Sequence, residues 1–169
     1  MYPPYTLANS TMELSVENSA IVRVQAASNI TFKNLNFTQS RSKGVSTVNV
    51  KNIDFIGCEF TNIGEGALQI TGDKAPITGA NYWQVAYMKE DASYDMDVKE
   101  CFFENIGGYA IKIIGGNADN LIPANDVIEN NYISGCNQRY IVDSAVNISG
   151  VGVVVRNNFI THSTQHGVQ

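Results

Sequence analysis

The chain carries little charge: only 16% of its residues are Asp, Glu, Lys or Arg, low for a globular surface. The 11 cations form no run, and the formal charge is −5. A nucleic-acid surface, whose affinity comes from clustered cations, is therefore excluded. No apolar run approaches the roughly 18 residues that span a bilayer. The first 20 residues lack the basic and apolar regions of a signal peptide. Three cysteines (Cys58, Cys101 and Cys136) show no CxxC spacing and leave at least one thiol over, which argues against a disulfide framework. Two histidines provide no zinc-type cluster. Asp73, Asp91, Asp95 and Asp97 lack the spacing of a calcium loop, so neither a metal nor a cofactor is expected.

What the chain has instead is 19 Asn, 14 Gly and 44% hydrophobic residues, enough to fold as one domain over residues 1–169. These residues are arranged in a repeat. One phrase, apolar-x-apolar followed by a polar pair and a second apolar pair, reads Ile30-Thr-Phe32-Lys-Asn34-Leu35-Asn-Phe37 and Ile53-Asp-Phe55-Ile-Gly57-Cys58-Glu-Phe60. It returns around Cys101, Asn131 and Asn158, at intervals of 23, 43, 30 and 27 residues. That spacing implies a period of about 22 with insertions. A second phrase, small-apolar-x-apolar, occurs at Gly44–Val48, Gly66–Ile70, Tyr109–Ile113 and Ser144–Ile148.

Such a unit holds two or more short strands and cannot bury its own apolar face. Stacked coaxially, each strand pairs with its equivalents above and below. The predicted fold is all-β, a right-handed parallel β-helix of about five to six coils with two loop insertions, Asp73–Asp95 and Gly115–Asn125. Asn serves this architecture by tolerating left-handed corners and by forming hydrogen-bonded ladders. Cys58 and Cys101 are expected as a buried, reduced stacked pair. The chain stops within a strand phrase at Gly167-Val168-Gln169. A solenoid needs its ends shielded, so missing coils or a partner covering that end are expected.

The phrases resemble those of the right-handed β-helix group that includes pectate-lyase-like polysaccharide lyases and β-helix glycoside hydrolases, the hydrolases most closely. Tyr2-Pro3-Pro4 leading into Ser28-Asn29-Ile30-Thr31-Phe32 and Ser40-Arg41 is one match. Gly115-Gly116-Asn117 through Pro123 and Gly150-Val151-Gly152 through His162 are others. The resemblance implies a polysaccharide or oligosaccharide partner and an extracellular or periplasmic parent protein. Four N-x-[ST] sequons, at Asn9, Asn29, Asn36 and Asn147, are compatible with secretion. The resemblance also puts catalytic carboxylates at two positions that are Asn117 and His162 here. Asn cannot ionise, and glycoside hydrolysis normally uses two carboxylates. Asp119 and Asp143 lie close in sequence, and Asp143 is the substitute we name as catalytic, beside Asn117 and His162.

From the residues themselves, strand alternation predicts an outward column of Thr47, Gln69, Lys112, Asn147 and Gln169. Beside it runs a small column of Val45, Ala67, Ala110, Ala145 and Gly167, making a shallow groove for a sugar chain. Gln69, Lys112 and Asn147 are the expected ligands there, Lys112 for a uronate. One flanking loop carries Asn137, Arg139, Tyr140 and Asp143, and another carries His162 and His166. Trp83, with Tyr82 and Tyr87 in the long insertion, would either stack on sugar rings or pack the insertion onto the flank of the β-helix. A hydrolase, a polysaccharide lyase and a non-catalytic binding module all remain open.

Overall fold

A computed structural model describes residues 14–71, 93–117, 120–141 and 143–169. Every regular element in it is a strand, and each coil contributes three, one to each of three parallel five-stranded sheets. The first sheet is β1 (Val22–Gln25), β4 (Val45–Val48), β7 (Leu68–Thr71), β10 (Ile111–Gly115) and β13 (Val146–Gly150). The second is β2 (Ser28–Lys33), β5 (Lys51–Ile56), β8 (Tyr94–Lys99), β11 (Asp126–Glu129) and β14 (Val153–Arg156). The third is β3 (Asn36–Ser40), β6 (Glu59–Ile63), β9 (Phe102–Ile106), β12 (Tyr132–Ser134) and β15 (Phe159–Thr161). This is the right-handed parallel β-helix, with five full coils and a bridge from Val146 to Val168 that starts the next turn. Among the described residues there is no helix, so none is long and apolar enough to cross a membrane.

The corners explain the Asn excess. Three columns of residues adopt left-handed backbone angles, one position in every coil. Between the second and third sheets stand Asn34, Gly57, Glu100, Asn130 and Asn157. At the start of the second sheet stand Asn29, Asn52, Asp95, Asn125 and Gly152, and at the end of the third Gln39, Asn62, Asn105, Gly135 and His162. These angles favour Gly, Asn, Asp and His, because most side chains crowd the following carbonyl there. The Asn side chains then bond along the axis: Asn52 to Asn29 at 2.7 Å and Asn105 to Asn62 at 2.6 Å.

Inside, like stacks on like. Phe32 lies on Phe55 with centroids 4.9 Å apart, and Phe37, Phe60 and Phe103 form a second pile at 4.8 and 4.9 Å. Cys58 and Cys101 are free, buried, and follow the left-handed corner in successive coils. Asn131 and Asn158 continue their column, the Asn131 amide donating to Asn158 Oδ1 at 2.9 Å. The Cys101 thiol is pushed up to about 12 by burial, which keeps it protonated and unreactive.

Gly57 provides a local test of the corner rule. Its φ is +60°, and a Cβ there would meet Asn34 Oδ1 at 2.6 Å. Gly57→Val should therefore cost about 2 kcal/mol in a urea titration, within the range for a β-branched residue held left-handed.

Several details differ from the sequence reading. Each coil holds three strands, in keeping with the two or more expected, because the first phrase spans two strands broken by the left-handed corner. In the outward column, Thr47 gives way to Ser46. Val45 pairs with Leu68 and points inward, and Thr47 pairs with Ile70 and is fully buried. A shift of one residue turns a strand's faces over. Ala67, Ala110 and Ala145 are not an outward groove floor but lie in the core, fully buried. At this bend two successive residues of a coil face inward, and the space admits only small ones: a Cβ on Gly44 would come within 3.1 Å of Phe60. Tyr94 and Asp95, assigned to the long insertion, belong to β8 and its corner.

Candidate functional site

The outer faces of the three sheets differ in how their charges are used. On the second sheet, Lys51 pairs with Asp95, Lys99 with Asp97 and Arg156 with Glu129. The third sheet bears an aromatic row, Phe102, Tyr132 and Phe159, whose rings stack on one another and turn their edges outward. The first sheet carries one outward column in register: Arg23, Ser46, Gln69, Lys112 and Asn147. Among the described residues neither Arg23 nor Lys112 has a carboxylate partner. Steps of about 4.8 Å set these side chains one coil apart along the axis.

Tyr109 organises the middle of this face. Its ring covers Gly66, where any Cβ would collide with it, and its hydroxyl donates to Gln69 Oε1 at 2.8 Å. The Lys112 ammonium lies 5.6 Å from the same ring's centroid, within cation–π range. Asn147 Nδ2 donates to the carbonyl of Ser144 at 3.3 Å. Toward the first coil the face opens into a cavity of about 470 Å³ lined by Asn18, Ser19, Arg23, Ser42, Lys43 and Ser46.

Three residues before the paired Leu68, Ile111 and Val146 stand Glu65, Gly108 and Asp143, at equivalent places in three successive coils. Gly108 is the gap between two carboxylates. Asp143 Oδ2 lies 3.5 Å from where a Gly108 Cβ would be, leaning over the glycine toward Glu65. Glu65 accepts from the Ser42 hydroxyl at 2.9 Å and faces the Lys43 ammonium at 3.4 Å. Their backbones are two strand spacings, about 10 Å, apart. Asp143 reaches back over Gly108, while Ser42 and Lys43 hold the Glu65 carboxylate toward the preceding coil.

Of the residues expected from the sequence, Gln69, Lys112, Asn147 and Asp143 come together on or beside this face. Arg139, in the loop after β12, lies against the Tyr140 ring at 5.4 Å, and its backbone N–H donates to Gly107 O. His166 is in the same corner one coil on, where its carbonyl accepts from the Ala145 N–H. His162 occupies a left-handed corner position, with Nδ1 3.0 Å from the Thr161 hydroxyl. Asn117 is at the opposite end of β10, buried. It is bridged to Ile122, and its Oδ1 accepts from the Asn120 N–H at 3.0 Å. Trp83 lies outside the described residues. Sequence reasoning missed Glu65, which stands outside both phrases, and the role of Tyr109, which looks there like one more residue of the second phrase; only the coil register places them.

Comparison with known families agrees with this architecture. The family described as right-handed beta helix region matches residues 6–140. The chain belongs to that family. No curated protein and no solved structure matched the chain. Membership accounts for the stacked coils and the corner Asn. It leaves the chemistry of the first sheet to be argued from its own residues.

Proposed function

We propose that this β-helix binds a polysaccharide along the outer face of its first sheet and hydrolyses a glycosidic bond between Glu65 and Asp143. The observation that carries the reading is the pair of carboxylates on either side of Gly108, next to the Gln69–Tyr109–Lys112 cluster. Inverting hydrolysis uses carboxyl groups about 6.5–9.5 Å apart, room enough for the attacking water, whereas retention needs about 5–5.5 Å. A separation of two coils, about 10 Å between backbones, is nearer the spacing for inversion than that for retention. Asp143 then protonates the leaving oxygen. Glu65, which already accepts hydrogen bonds from its donors, activates the water. The amides of Gln69 and Asn147 bond sugar hydroxyls, and Lys112 and Arg23 attract acidic substituents.

One observation favours a second reading, a non-catalytic binding module: Glu65 is already engaged by Ser42 and Lys43. Both readings need the same binding face. Affinity electrophoresis against neutral, uronate-containing and sulfated plant and algal polysaccharides tests it. Retardation by at least one polymer, weakened about tenfold or more in Lys112→Ala, is expected. Unchanged mobility in every gel would exclude the face as a sugar site.

A further inference from the structure

The inward column at the head of the second sheet reads Ile30, Ile53, Met96, Asp126 and Val153. Four of the five are aliphatic or Met, and the fifth is a carboxylic acid, fully buried. Asp126 Oδ1 accepts the Met96 N–H at 3.0 Å. Oδ2 is buried with no hydrogen-bond partner. It presses on Gly115, where a Cβ would come within 2.2 Å of it. Among the described residues no lysine or arginine forms an ion pair with it. The charged groups nearby are Asp95 and Asp97 on β8, both raising its pKa, and Lys51 and Lys99 are paired with those two carboxylates.

Other chain segments meet at this place in the fold. The strand β7 ends at Thr71, and Ser93 bridges Gly115. One coil on, the segment after Gly115 returns at Ala124, whose carbonyl accepts the Asp95 N–H at 2.7 Å. Gly116 packs against the carbonyls of Val151 and Ile122, and Gly150 against that of Gly115. A carboxylate here would be buried with one oxygen lacking a donor, which costs far more than burying the neutral acid.

We propose that Asp126 is a proton-dependent latch on this corner: neutral, it holds β8 to β11, and on losing its proton it leaves the column and opens the corner. Burial, the largest cause, lifts the acid to about 8. The sign follows from linkage. An acid whose folded pKa exceeds its unfolded value stabilises fully below the ordinary carboxylate range, and that stability is lost as pH rises through about 8. The latch depends on the fold alone, so failure of the groove reading leaves it standing.

Amide hydrogen exchange of Met96 and Asp95 between pH 6 and 10 tests the latch, with Val98 as an internal reference. The protection of Met96 and Asp95 relative to Val98 should fall about tenfold per pH unit between pH 6 and about 8 and level off above it. In Asp126→Asn, whose amide mimics the neutral acid, the ratio should stay flat. Asp126→Leu, which restores an aliphatic column, should also be flat and keeps the test open if the amide variant does not fold. A flat ratio in the wild type, or an equal fall in both variants, overturns the proposal.

Discussion

Glu65→Gln and Asp143→Asn should each lower hydrolysis about 10³-fold while leaving polysaccharide binding within about threefold of the wild type. Loss of a positioned acid or base typically costs 10²–10⁴-fold in rate. The two amides are nearly isosteric with the acids they replace. The double variant should be little worse than either single one, because the two groups act in one step and their effects do not add. Gly108→Leu gives an independent check on the geometry. It would fill the gap between the carboxylates, where a Cβ already meets the Glu65 carbonyl at 3.0 Å, and should abolish turnover with both acids intact. Initial rates of reducing-end release, normalised to binding, measure all four. Equal loss of binding and turnover would assign Glu65 and Asp143 to the sugar-holding surface instead of the chemistry.

Phe60→Ala should destabilise the fold by about 3–5 kcal/mol, the range for truncating a buried aromatic. Phe60 is fully buried at the centre of the Phe37–Phe60–Phe103 pile, so its loss removes two stacked contacts and leaves a cavity that rigid neighbouring coils cannot close. Phe159 stacks on Tyr132 with a similar geometry but is 60% exposed. Phe159→Ala should therefore cost no more than about 1.5 kcal/mol, the value of an aromatic pair with little burial behind it. Urea midpoints for both variants provide the comparison. A similar cost for the two would mean that ring stacking, and not burial, dominates the solenoid's stability.

The architecture was legible because the corners repeat. Asn34, Asn130 and Asn157, with the apolar residues on either side, state the period without any helix-like spacing to compete. What misled was local. Gly44 and Gly66 look equivalent in the sequence, yet Gly44 stands level with Ala67, so the second coil was read one residue out of step. The exact number of strands was less legible, because left-handed residues such as Asn34 and Gly57 fall inside the first phrase and divide it between two strands.

The site was harder to see for a different reason. Gln69, Lys112 and Asn147 share a strand phrase and could be aligned by eye. Glu65 sits in a glycine-rich turn, and only the stacking of three coils sets it opposite Asp143. Asp126 did leave a signal: it falls two residues before Ile128, where the other coils place Ile30, Ile53, Met96 and Val153.

The most direct measurement is reducing-end release by the folded wild-type chain and by Asp143→Asn on whichever polysaccharide retards the protein. The account predicts new reducing ends from the wild type and about 10³-fold fewer from the variant. Tight binding with no new ends from either protein would contradict it and leave the first sheet as a binding face alone.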